Sequence, residues 1–271
     1  MLYSLPLRIH VWGGLGSQLH AWALAESIRK STNRPISLIL HSSGVTKRSS
    51  DLGFLGDYFH IRSVEDFTLQ TEPYAKMPLF KSALSLLVKR VMKMTKLSLG
   101  DDFLESANSV LPWTFSLRGH YSNIYIEQDT IMEILAKSFR HGLLDDKAES
   151  KTGTIIHYRL GDLLNLDSKR PLSEIRFKGL ENLRSPFYVI SDSPEVAQAR
   201  LNQVLGTNVE IINENSAWAA INAALNYECF IGTPSKLSFW IIAFRSFLNK
   251  SGVMYITKEH LEHLNFILKF D

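Results

Sequence analysis

The chain of 271 residues is 45% hydrophobic and 21% charged, with a formal net charge of +3. This composition is typical of a globular protein with a buried core and excludes a disordered polar chain. The mild positive charge does not demand nucleic acid as a partner, although it suits a phosphorylated ligand.

The N-terminal part of the sequence predicts a strand, a glycine turn, a helix and a second strand. The run Leu7 to Val11 is β-rich and ends at the glycines of residues 13–16. A helical pattern follows from Gln18 to Lys30, and a second strand from Ile36 to Leu40. This order is a βαβ unit, whose first turn lies at the carboxyl end of a parallel strand.

Residues 81–97 predict a cationic amphipathic helix, and no acidic residue occurs between Pro73 and Gly100. The apolar residues of one face and their basic neighbours are Leu84, Leu87, Val88, Val91, Lys89, Arg90, Lys93 and Lys96. Such a helix can lie on an anionic membrane. A surface helix that covers a core with a solvated lysine face explains the same pattern, and both interpretations stay open.

The composition turns polar at residues 147–153, which predicts a linker, and the alternation of strands and helices resumes beyond it. The predicted strands are Thr154–Tyr158, Phe187–Ile190, Val209–Ile212 and Cys229–Ile231, and the predicted helices are Pro194–Leu205, Trp218–Asn226 and Leu237–Leu248. We therefore expect two α/β domains, 1–150 and 151–271, with a ligand cleft between them. The one cysteine, Cys229, cannot form an intramolecular disulfide and is expected to be buried packing.

The turn after the first strand reads Gly13-Gly14-Leu15-Gly16-Ser17-Gln18. Glycines here let the backbone pass close to a ligand, and the next helix directs its N-terminal amides at negative charge. The third glycine of a dinucleotide-binding fingerprint is Leu19, and no acidic residue ends the second strand at Leu40, so the motif does not predict NAD. A purely structural turn remains an alternative.

The segment His157-Tyr158-Arg159-Leu160-Gly161-Asp162 follows an apolar strand. Side chains at 157 and 159 point to the same side of a strand. A guanidinium at this position can hold a diphosphate through two hydrogen bonds and stabilise charge as a sugar departs. An ion pair between Arg159 and Asp162 that fixes the turn is the structural alternative.

Two later turns combine hydroxyl groups with the start of a helix. Ser191-Asp192-Ser193 follows the strand Phe187–Ile190, and Ser235-Lys236-Leu237-Ser238 precedes an apolar helix. Serine and aspartate cap helices. The same hydroxyls and free amides can also hold a phosphate.

Taken in this order, the four motifs resemble those of the α-1,2-fucosyltransferase family, within the wider fucosyltransferase superfamily. That family typically carries Gly-Gly-Leu-Gly-Asn-Gln, His-x-Arg-Arg-Gly-Asp-Tyr, Phe-Tyr-x-Phe-Ser-Asp and Asn-Ser-Ser-Phe-Ser-Trp-Trp, and the resemblance spans roughly residues 8–245. It implies a GT-B-like α/β fold of two Rossmann-like halves and an inverting glycosyltransferase without a metal or cofactor. The donor, GDP-fucose or another activated sugar, would lie mainly on the C-terminal half, and the N-terminal half would face the acceptor.

The resemblance also assigns site residues. The family's diphosphate-binding arginine falls on Arg159 and its motif histidine on His157, and Asp162 is grouped with them as a catalytic candidate. The residues expected to bind the donor are Gly14, Gly16, Ser17, Gln18, Ser191, Asp192, Ser235, Lys236 and Ser238.

The sequence departs from the family pattern at several positions. The second arginine is Leu160, the loop asparagine is Ser17, and the motif tyrosine is Leu163. An aspartate of the guanine-recognition region falls near Ala219 or Ala220. These departures concern the residues that would recognise GDP and fucose, and the arginine of the catalytic motif is retained at position 159.

Alternatives therefore remain at the level of function. The chain could use another nucleotide sugar or phosphoribosyl pyrophosphate, or it could be a non-catalytic module that binds a nucleotide or sugar. Nucleic-acid binding is disfavoured because the cationic segment lacks the interleaved aromatic residues of a single-strand platform.

The sequence also predicts where the protein is located in the cell. Residues 1–6 carry no basic region ahead of an apolar stretch, and no window approaches the roughly 20 apolar residues of a membrane span. We expect a cytoplasmic protein. The resemblance implies an oligosaccharide or lipid-linked glycan acceptor in bacterial surface polysaccharide synthesis, and residues 81–97 would then contact the inner face of the membrane.

Overall fold

The structure is a computed structural model, and it describes the following residues: 6–32, 34–41, 51–57, 59–64, 87, 90–91, 94–96, 98–100, 110–119, 121, 124, 126–145, 150–159, 183–233, 235–248 and 254–255. The contacts divide the chain into two compact units, Met1–Thr130 and Ile131–Asp271. The division lies earlier in the chain than the boundary expected at residue 150, because it falls inside a helix that the sequence analysis did not predict.

The first unit is a parallel sheet with a long helix between its first two strands. Its elements are β1 Leu7–Val11, α1 Leu15–Thr32, β2 Ile36–His41, a 3₁₀ turn at Gly53–Asp57, β3 His60–Val64, β4 Ser98–Gly100 and β5 Ser116–Arg118. The described strands lie in the order β3-β2-β1-β5-β4, and every neighbouring pair is parallel.

The helix α1 begins at Leu15, inside the glycine turn, rather than at the predicted Gln18. The carbonyl of Gly14 accepts hydrogen bonds from the backbone N–H groups of Ser17 and Gln18, and these bonds close the first turn early. The helix is buried along most of its length, from Leu15 to Ile28. Leu19 and Trp22 are fully covered. The glycine loop is therefore the start of a core helix.

The second unit repeats this arrangement. Its elements are α2 Gln128–Arg140, β6 Lys151–His157, β7 Phe187–Ile190, α3 Pro194–Leu205, β8 Val209–Ile211, α4 Ala217–Asn226, β9 Tyr227–Gly232, α5 Lys236–Phe247 and β10 Met254–Tyr255. The described strands follow the order β10-β9-β6-β7-β8 and are parallel throughout. The predicted α/β class with two Rossmann-like halves is confirmed.

The element predictions for the second unit hold almost throughout. The linker prediction was wrong at its end, because residues 151–153 belong to β6, where Lys151 is the register partner of Tyr227. The predicted cationic helix at 81–97 falls mostly outside the described residues, although Leu87 and Val91 are helical.

The core of the second unit joins the sheet to α3. Ile156, Val189, Val209, Leu201 and Ile231 are buried together. Cys229 is also buried, which confirms the packing role expected for the single thiol. None of the helices in the described ranges is long and apolar enough to cross a membrane.

Candidate active site

The order of strands in the second sheet reverses at β6. From β6 the chain continues to β7 and β8 on one side, and it later adds β9 and β10 on the other. In open parallel sheets, ligands bind beyond the carboxyl ends of the strands at such a reversal. The two strands that flank this point end at His157 and Gly232, which are register partners. The His-Tyr-Arg motif therefore lies where this type of sheet binds its ligand.

Thr233 holds the chain in place where it leaves β6. Its backbone N–H donates to the carbonyl of His157 at 3.0 Å, and its hydroxyl donates to the same carbonyl at 3.2 Å. The hydroxyl oxygen also accepts from the backbone N–H of Arg159 at 3.0 Å. On the other side, the N–H of Tyr158 donates to the carbonyl of Ile190 at 2.9 Å. These bonds fix the backbone of Arg159, whose side chain is half-buried.

The start of α5 reaches His157 through two serine side chains. Ser235 is the N-cap residue, and its hydroxyl oxygen accepts from the backbone N–H of Ser238 at 3.1 Å. The hydroxyl of Ser235 donates to Oγ of Ser238 at 3.1 Å, and Oγ of Ser238 lies 2.7 Å from Nδ1 of His157. The cap predicted at Ser235 is therefore present, and it extends into a chain of hydrogen bonds that ends on the imidazole.

This chain depends on a glycine at the end of β9. A Cβ atom added to Gly232 would lie 2.6 Å from Cβ of Ser238 and 2.7 Å from its Oγ. Real Cβ atoms do not approach other atoms so closely, so a side chain at position 232 would push Ser238 away from His157. The absence of a side chain at Gly232 lets the helix start lie directly against the strand.

The imidazole of His157 is uncharged at neutral pH. Burial lowers its pKa from 6.5 to about 4, against a smaller opposing effect of the Asp192 carboxylate. The positive charge of Arg159 lowers the pKa further. Both charged side chains therefore lie close enough to act on the ring, and the site contains a neutral histidine beside a permanent cation.

The turn after β7 brings Asp192 to the same neighbourhood. The backbone N–H of Ser193 donates to the hydroxyl oxygen of Ser191 at 3.0 Å. Ser193 is the N-cap residue of α3, but its side chain makes no capping hydrogen bond. The predicted cap therefore lies at the expected position, but the Ser193 side chain does not make the expected capping hydrogen bond. In this turn the hydroxyl that accepts a backbone N–H is that of Ser191.

Positive charge accumulates where β6 and β9 end. Arg159 and Lys236 are both half-buried, and Lys236 is the first residue of α5. The N-terminal amides of a helix carry partial positive charge. A guanidinium that follows β6, and an ammonium at the N-terminus of the helix that follows β9, suit an anionic ligand with several oxygens, such as a diphosphate.

The glycine loop of the first unit uses its polar side chain within the fold. Gly13 has a φ of +86°, which only glycine adopts without strain. The amide of Gln18 donates to the carbonyl of Gly13 at 3.1 Å and accepts from the backbone N–H of Asp51 at 2.9 Å. Gln18 thus ties the loop to residue 51. Gly16 is buried and Ser17 is half-buried.

The structure brings together most of the predicted site residues of the second unit. His157, Ser235 and Ser238 are directly bonded, and Asp192 and Arg159 act on His157 electrostatically. Asp162 lies outside the described residues, so its catalytic assignment stays a prediction. The predicted residues of the glycine loop belong to the other unit, where they follow β1.

Two residues of this site, Gly232 and Thr233, were not among the site residues assigned from the sequence, although Thr233 begins the hydroxyl-rich turn that contains Ser235. A signal was present, because a glycine and a hydroxyl residue directly follow the predicted strand Cys229–Ile231. Their importance comes from register, since Gly232 is paired with His157 across the sheet. Pairing of this kind is not visible along the sequence.

Among the residues that the structure describes, no group of three histidine, cysteine, aspartate or glutamate side chains is placed to hold a metal ion.

No family model matches the chain, and no curated protein is significantly similar to it. The chain is similar to the solved structure of the fucosyltransferase NodZ from Bradyrhizobium, with 13% identity, a TM-score of 0.40 and coverage of 88% of this chain and 92% of the other. A second similar structure is the heptosyltransferase WaaC of E. coli with ADP-2-deoxy-2-fluoro heptose, with 8% identity, a TM-score of 0.41 and coverage of 92% and 88%. A third is POFUT1 in complex with GDP, with 11% identity, a TM-score of 0.40 and coverage of 94% and 99%. At TM-scores below 0.5 these similarities are distant, and the function proposed below rests on the residues of this chain.

Proposed function

We propose that the chain is a glycosyltransferase whose second unit binds the diphosphate of a nucleotide-sugar donor. The observation that carries this proposal is the hydrogen-bonded group of His157, Ser238 and Ser235 beside Arg159, at the reversal point of a parallel sheet. Such a point is the usual ligand site of the fold. Arg159 supplies a positive charge, His157 a neutral imidazole, and Ser235 marks the N-terminus of α5. Together these groups suit a diphosphate.

In this proposal Arg159 binds the diphosphate and stabilises its departure. As the bond between the anomeric carbon and the diphosphate oxygen breaks, negative charge grows on that oxygen, and a guanidinium fixed in advance stabilises it. The oxygen of an acceptor hydroxyl forms the new bond from the opposite face, which inverts the anomeric carbon. The hydroxyl proton leaves with a base that we do not assign. The charge of Arg159 would take the part that a metal ion plays in other glycosyltransferases.

The identity of the donor nucleotide depends on the residues that would contact its base. The sequence resemblance favours GDP-fucose. Position 219, near which the family carries its guanine-region aspartate, is occupied by an alanine whose backbone N–H is bonded to the N-cap Ser216 at 3.1 Å. A carboxylate for the guanine is therefore missing there, and this observation supports another nucleotide or phosphoribosyl pyrophosphate as the alternative donor.

The acceptor is proposed to bind to the first unit, beside the glycine loop. An oligosaccharide or a lipid-linked glycan suits this assignment, and bacterial surface polysaccharide synthesis on the inner face of the membrane would supply both. The apolar side chains of Leu87, Val91 and Met94 are exposed at helical spacing in a segment without acidic residues. That combination supports peripheral contact of residues 81–97 with an anionic membrane.

The experiment is a thermal-shift panel followed by an Arg159 variant. The panel contains GDP, UDP, CMP, CDP, dTDP, GDP-fucose and phosphoribosyl pyrophosphate. A ligand present at 100 times its Kd that binds only the folded state should stabilise the protein by about 2.7 kcal/mol. We expect one nucleotide and its sugar conjugate to stabilise the protein. When an acceptor glycan is added, the nucleotide sugar should be converted to the free nucleotide.

Arg159→Ala should then lower the transfer rate by about 100- to 1000-fold without changing the melting temperature of the free protein substantially. Arg184→Ala is the matched control, because Arg184 lies on the same unit with a mostly exposed side chain. An unchanged rate in Arg159→Ala would remove the centre of the proposal. Tight donor binding with no transfer to any glycan would instead favour the non-catalytic binding module.

A further inference from the structure

The hydroxyl of Ser238 has two hydrogen-bond partners, and its single proton can go to only one of them. Its Oγ lies 2.7 Å from Nδ1 of His157 and 3.1 Å from Oγ of Ser235. The oxygen of Ser235 already accepts from the backbone N–H of Ser238, and its own proton is donated to Ser238. A hydroxyl carries one proton. The proton of Ser238 is therefore left for Nδ1 of His157.

The imidazole consequently accepts a hydrogen bond at Nδ1. A neutral imidazole has one protonated nitrogen and one bare nitrogen. Because burial lowers the pKa of His157 to about 4, the ring is neutral at physiological pH. Its one proton then lies on Nε2. Among the described residues, Nδ1 is the only atom of this ring with a hydrogen-bond partner.

We propose that Ser238, supported by Ser235, is a positioning residue that fixes His157 in the Nε2–H tautomer and so directs a hydrogen-bond donor at the diphosphate beside Arg159. The ligand in this statement rests on the function proposed above. The tautomer rests on the hydrogen bonds within the second unit and is independent of that function.

The tautomer decides whether His157 attracts or repels an anion. With the proton on Nε2, the ring donates to a phosphate oxygen, and the bond strengthens as that oxygen gains charge. With the proton on Nδ1, the lone pair of Nε2 would face the oxygen and oppose binding. A neutral donor also adds a contact without a second positive charge next to Arg159. The imidazole keeps its proton throughout, because the bond that breaks is the one between sugar and diphosphate.

This role explains why Ser238 is fully buried although the sequence predicted it as a donor-binding residue. Both contacts of its hydroxyl lie inside the protein. An action through His157 therefore suits its position better than direct contact with a ligand. Gly232 has a matching function, because its missing side chain leaves the space that Ser238 occupies.

The test is imidazole ¹⁵N nuclear magnetic resonance on the full chain at pH 7.5. Labelled histidine gives one pair of ring resonances for each residue, and the His157→Gln spectrum assigns the pair of His157 by its disappearance. We expect a protonated Nε2 and a bare Nδ1 in the wild type. Ser238→Ala should remove the donor to Nδ1, so that both tautomers become populated and the two resonances move toward each other.

Ser246→Ala is the matched control, because the Ser246 hydroxyl is buried near the other end of α5 and has no hydrogen-bond partner among the residues that the structure describes. It should leave the His157 resonances unchanged. A wild-type spectrum with the proton on Nδ1 would overturn the inference, and so would a Ser238→Ala spectrum identical to that of the wild type. If Ser238→Ala does not fold, the wild-type tautomer alone decides the question.

A second arm measures the affinity for inorganic pyrophosphate by calorimetry. In Ser238→Ala only the fraction of rings with the proton on Nε2 can donate to the anion, so equally populated tautomers should weaken binding by about twofold, and Ser246→Ala should bind as the wild type does. Unchanged pyrophosphate affinity with a changed tautomer would refute the assignment of His157 as a donor to the diphosphate. If the wild type binds neither pyrophosphate nor any nucleotide, the proposed function fails, while the resonance spectra still decide the tautomer.

Discussion

At the scale of single residues, the site is organised around one buried histidine that carries no charge. His157 lies at the end of β6 with its Nδ1 bonded to Ser238, and only a small part of its surface is accessible. A charged imidazole in this place would lose much of its hydration. The same burial that makes the ring a neutral donor also makes the stability of the protein dependent on pH.

We expect His157 to destabilise the folded state in mild acid. Its pKa is about 4 in the folded protein and near 6.5 in the unfolded chain. Above pH 6.5 neither state holds the proton, and between pH 6.5 and 4 the unfolded chain binds it while the folded protein does not. Stability therefore falls as the pH falls through this window, at up to about 1.4 kcal/mol per pH unit. Between pH 7.5 and pH 5 the loss is about 2 kcal/mol.

Urea unfolding of the wild type and His157→Gln at pH 7.5 and pH 5 checks this prediction. Carboxyl groups titrate in both proteins, so the difference between the two pH dependences isolates His157. The wild type should lose about 2 kcal/mol more than the variant. His60→Gln removes an exposed imidazole and should keep the full wild-type dependence. Equal pH dependences in the wild type and His157→Gln would show that the ring is not desolvated.

The sequence identified His157 and Arg159 because both lie in one motif at the end of a strand. It did not indicate that the partner of His157 is Ser238, since 81 positions separate the two residues along the chain. Ser238 was selected only as part of a helix start. Contacts that depend on strand register and helix placement are decided by tertiary packing, which a pattern along the chain does not record.

At the scale of elements, the end of β9 at Gly232 leaves no room for a side chain beside Ser238 of α5. Gly232→Ala should force Ser238 away from its present position, because the new Cβ would lie 2.6 Å from Cβ of Ser238. Overpacking of this kind costs about 1–3 kcal/mol. The hydrogen bond from Ser238 to His157 should be lost together with this stability.

Urea unfolding and the His157 ring resonances together measure the effect of Gly232→Ala. Gly53→Ala is the control, because no atom in the described part of the chain would lie within 4 Å of its new Cβ. The control should change the unfolding free energy by less than about 0.5 kcal/mol. A Gly232→Ala protein with wild-type stability and unchanged resonances would mean that the strand and the helix separate at little cost.

A second element contact is made by Arg245, which is buried on α5. Its guanidinium donates to the backbone carbonyls of Ala224, Tyr227 and Glu228 at 2.7–2.8 Å, where α4 ends and β9 begins. The last carbonyls of a helix need such partners. Burial lowers the pKa of Arg245 to about 10, so the group stays charged at neutral pH.

We expect Arg245→Met to lower the unfolding free energy by about 3 kcal/mol or more, because the aliphatic volume remains while buried carbonyls lose a charged donor. Arg184→Met is the comparison. Arg184 pairs with Glu228 at 3.1 Å, but its side chain is 68% exposed. An exposed ion pair contributes little, so this variant should change stability by less than about 1 kcal/mol. Similar effects of the two substitutions would contradict the capping role of Arg245.

Hydrophobic pattern predicted most of the second unit, including the bounds of β7 and α3. It missed β4 and β5, which are three residues long and too short to show a period. It also missed α2, although Ile131, Ile134 and Leu135 follow helical spacing and are buried. The helical spacing of apolar residues is therefore present in the sequence of α2. It was overlooked because the other side of the helix is polar.

At the scale of the whole molecule, the two units place their motifs in equivalent positions. In the first sheet β2 and β3 lie on one side of β1, and β5 and β4 lie on the other. The glycine loop follows β1 and the His-Tyr-Arg segment follows β6, so each motif lies at the reversal point of its own sheet. The sequence analysis predicted the two Rossmann-like halves, but not that their motifs occupy equivalent positions. The division between the units falls within α2, the helix that the sequence analysis did not predict.

The cationic segment 81–97 is the part of the chain with the clearest sign of an external surface. The side chains of Leu87, Val91 and Met94 are 59%, 49% and 76% exposed. Their spacing places them on one side of a helix, and Arg90 beside them is exposed as well. Apolar side chains flanked by basic residues bind the interface of an anionic bilayer through both burial and charge.

We expect the combined substitution Lys89→Gln, Arg90→Gln, Lys93→Gln and Lys96→Gln to weaken binding to vesicles that contain anionic lipid. Each basic residue near such a surface contributes about 1 kcal/mol, so the partition coefficient should fall by about two to three orders of magnitude. Sedimentation with anionic and with zwitterionic vesicles measures it. The control removes four exposed basic residues elsewhere, namely Arg8, Lys30, Arg118 and Lys151. If the control lowers binding as much as the 81–97 variant, net charge alone attracts the protein, and the basic residues of the segment have no special part in membrane contact.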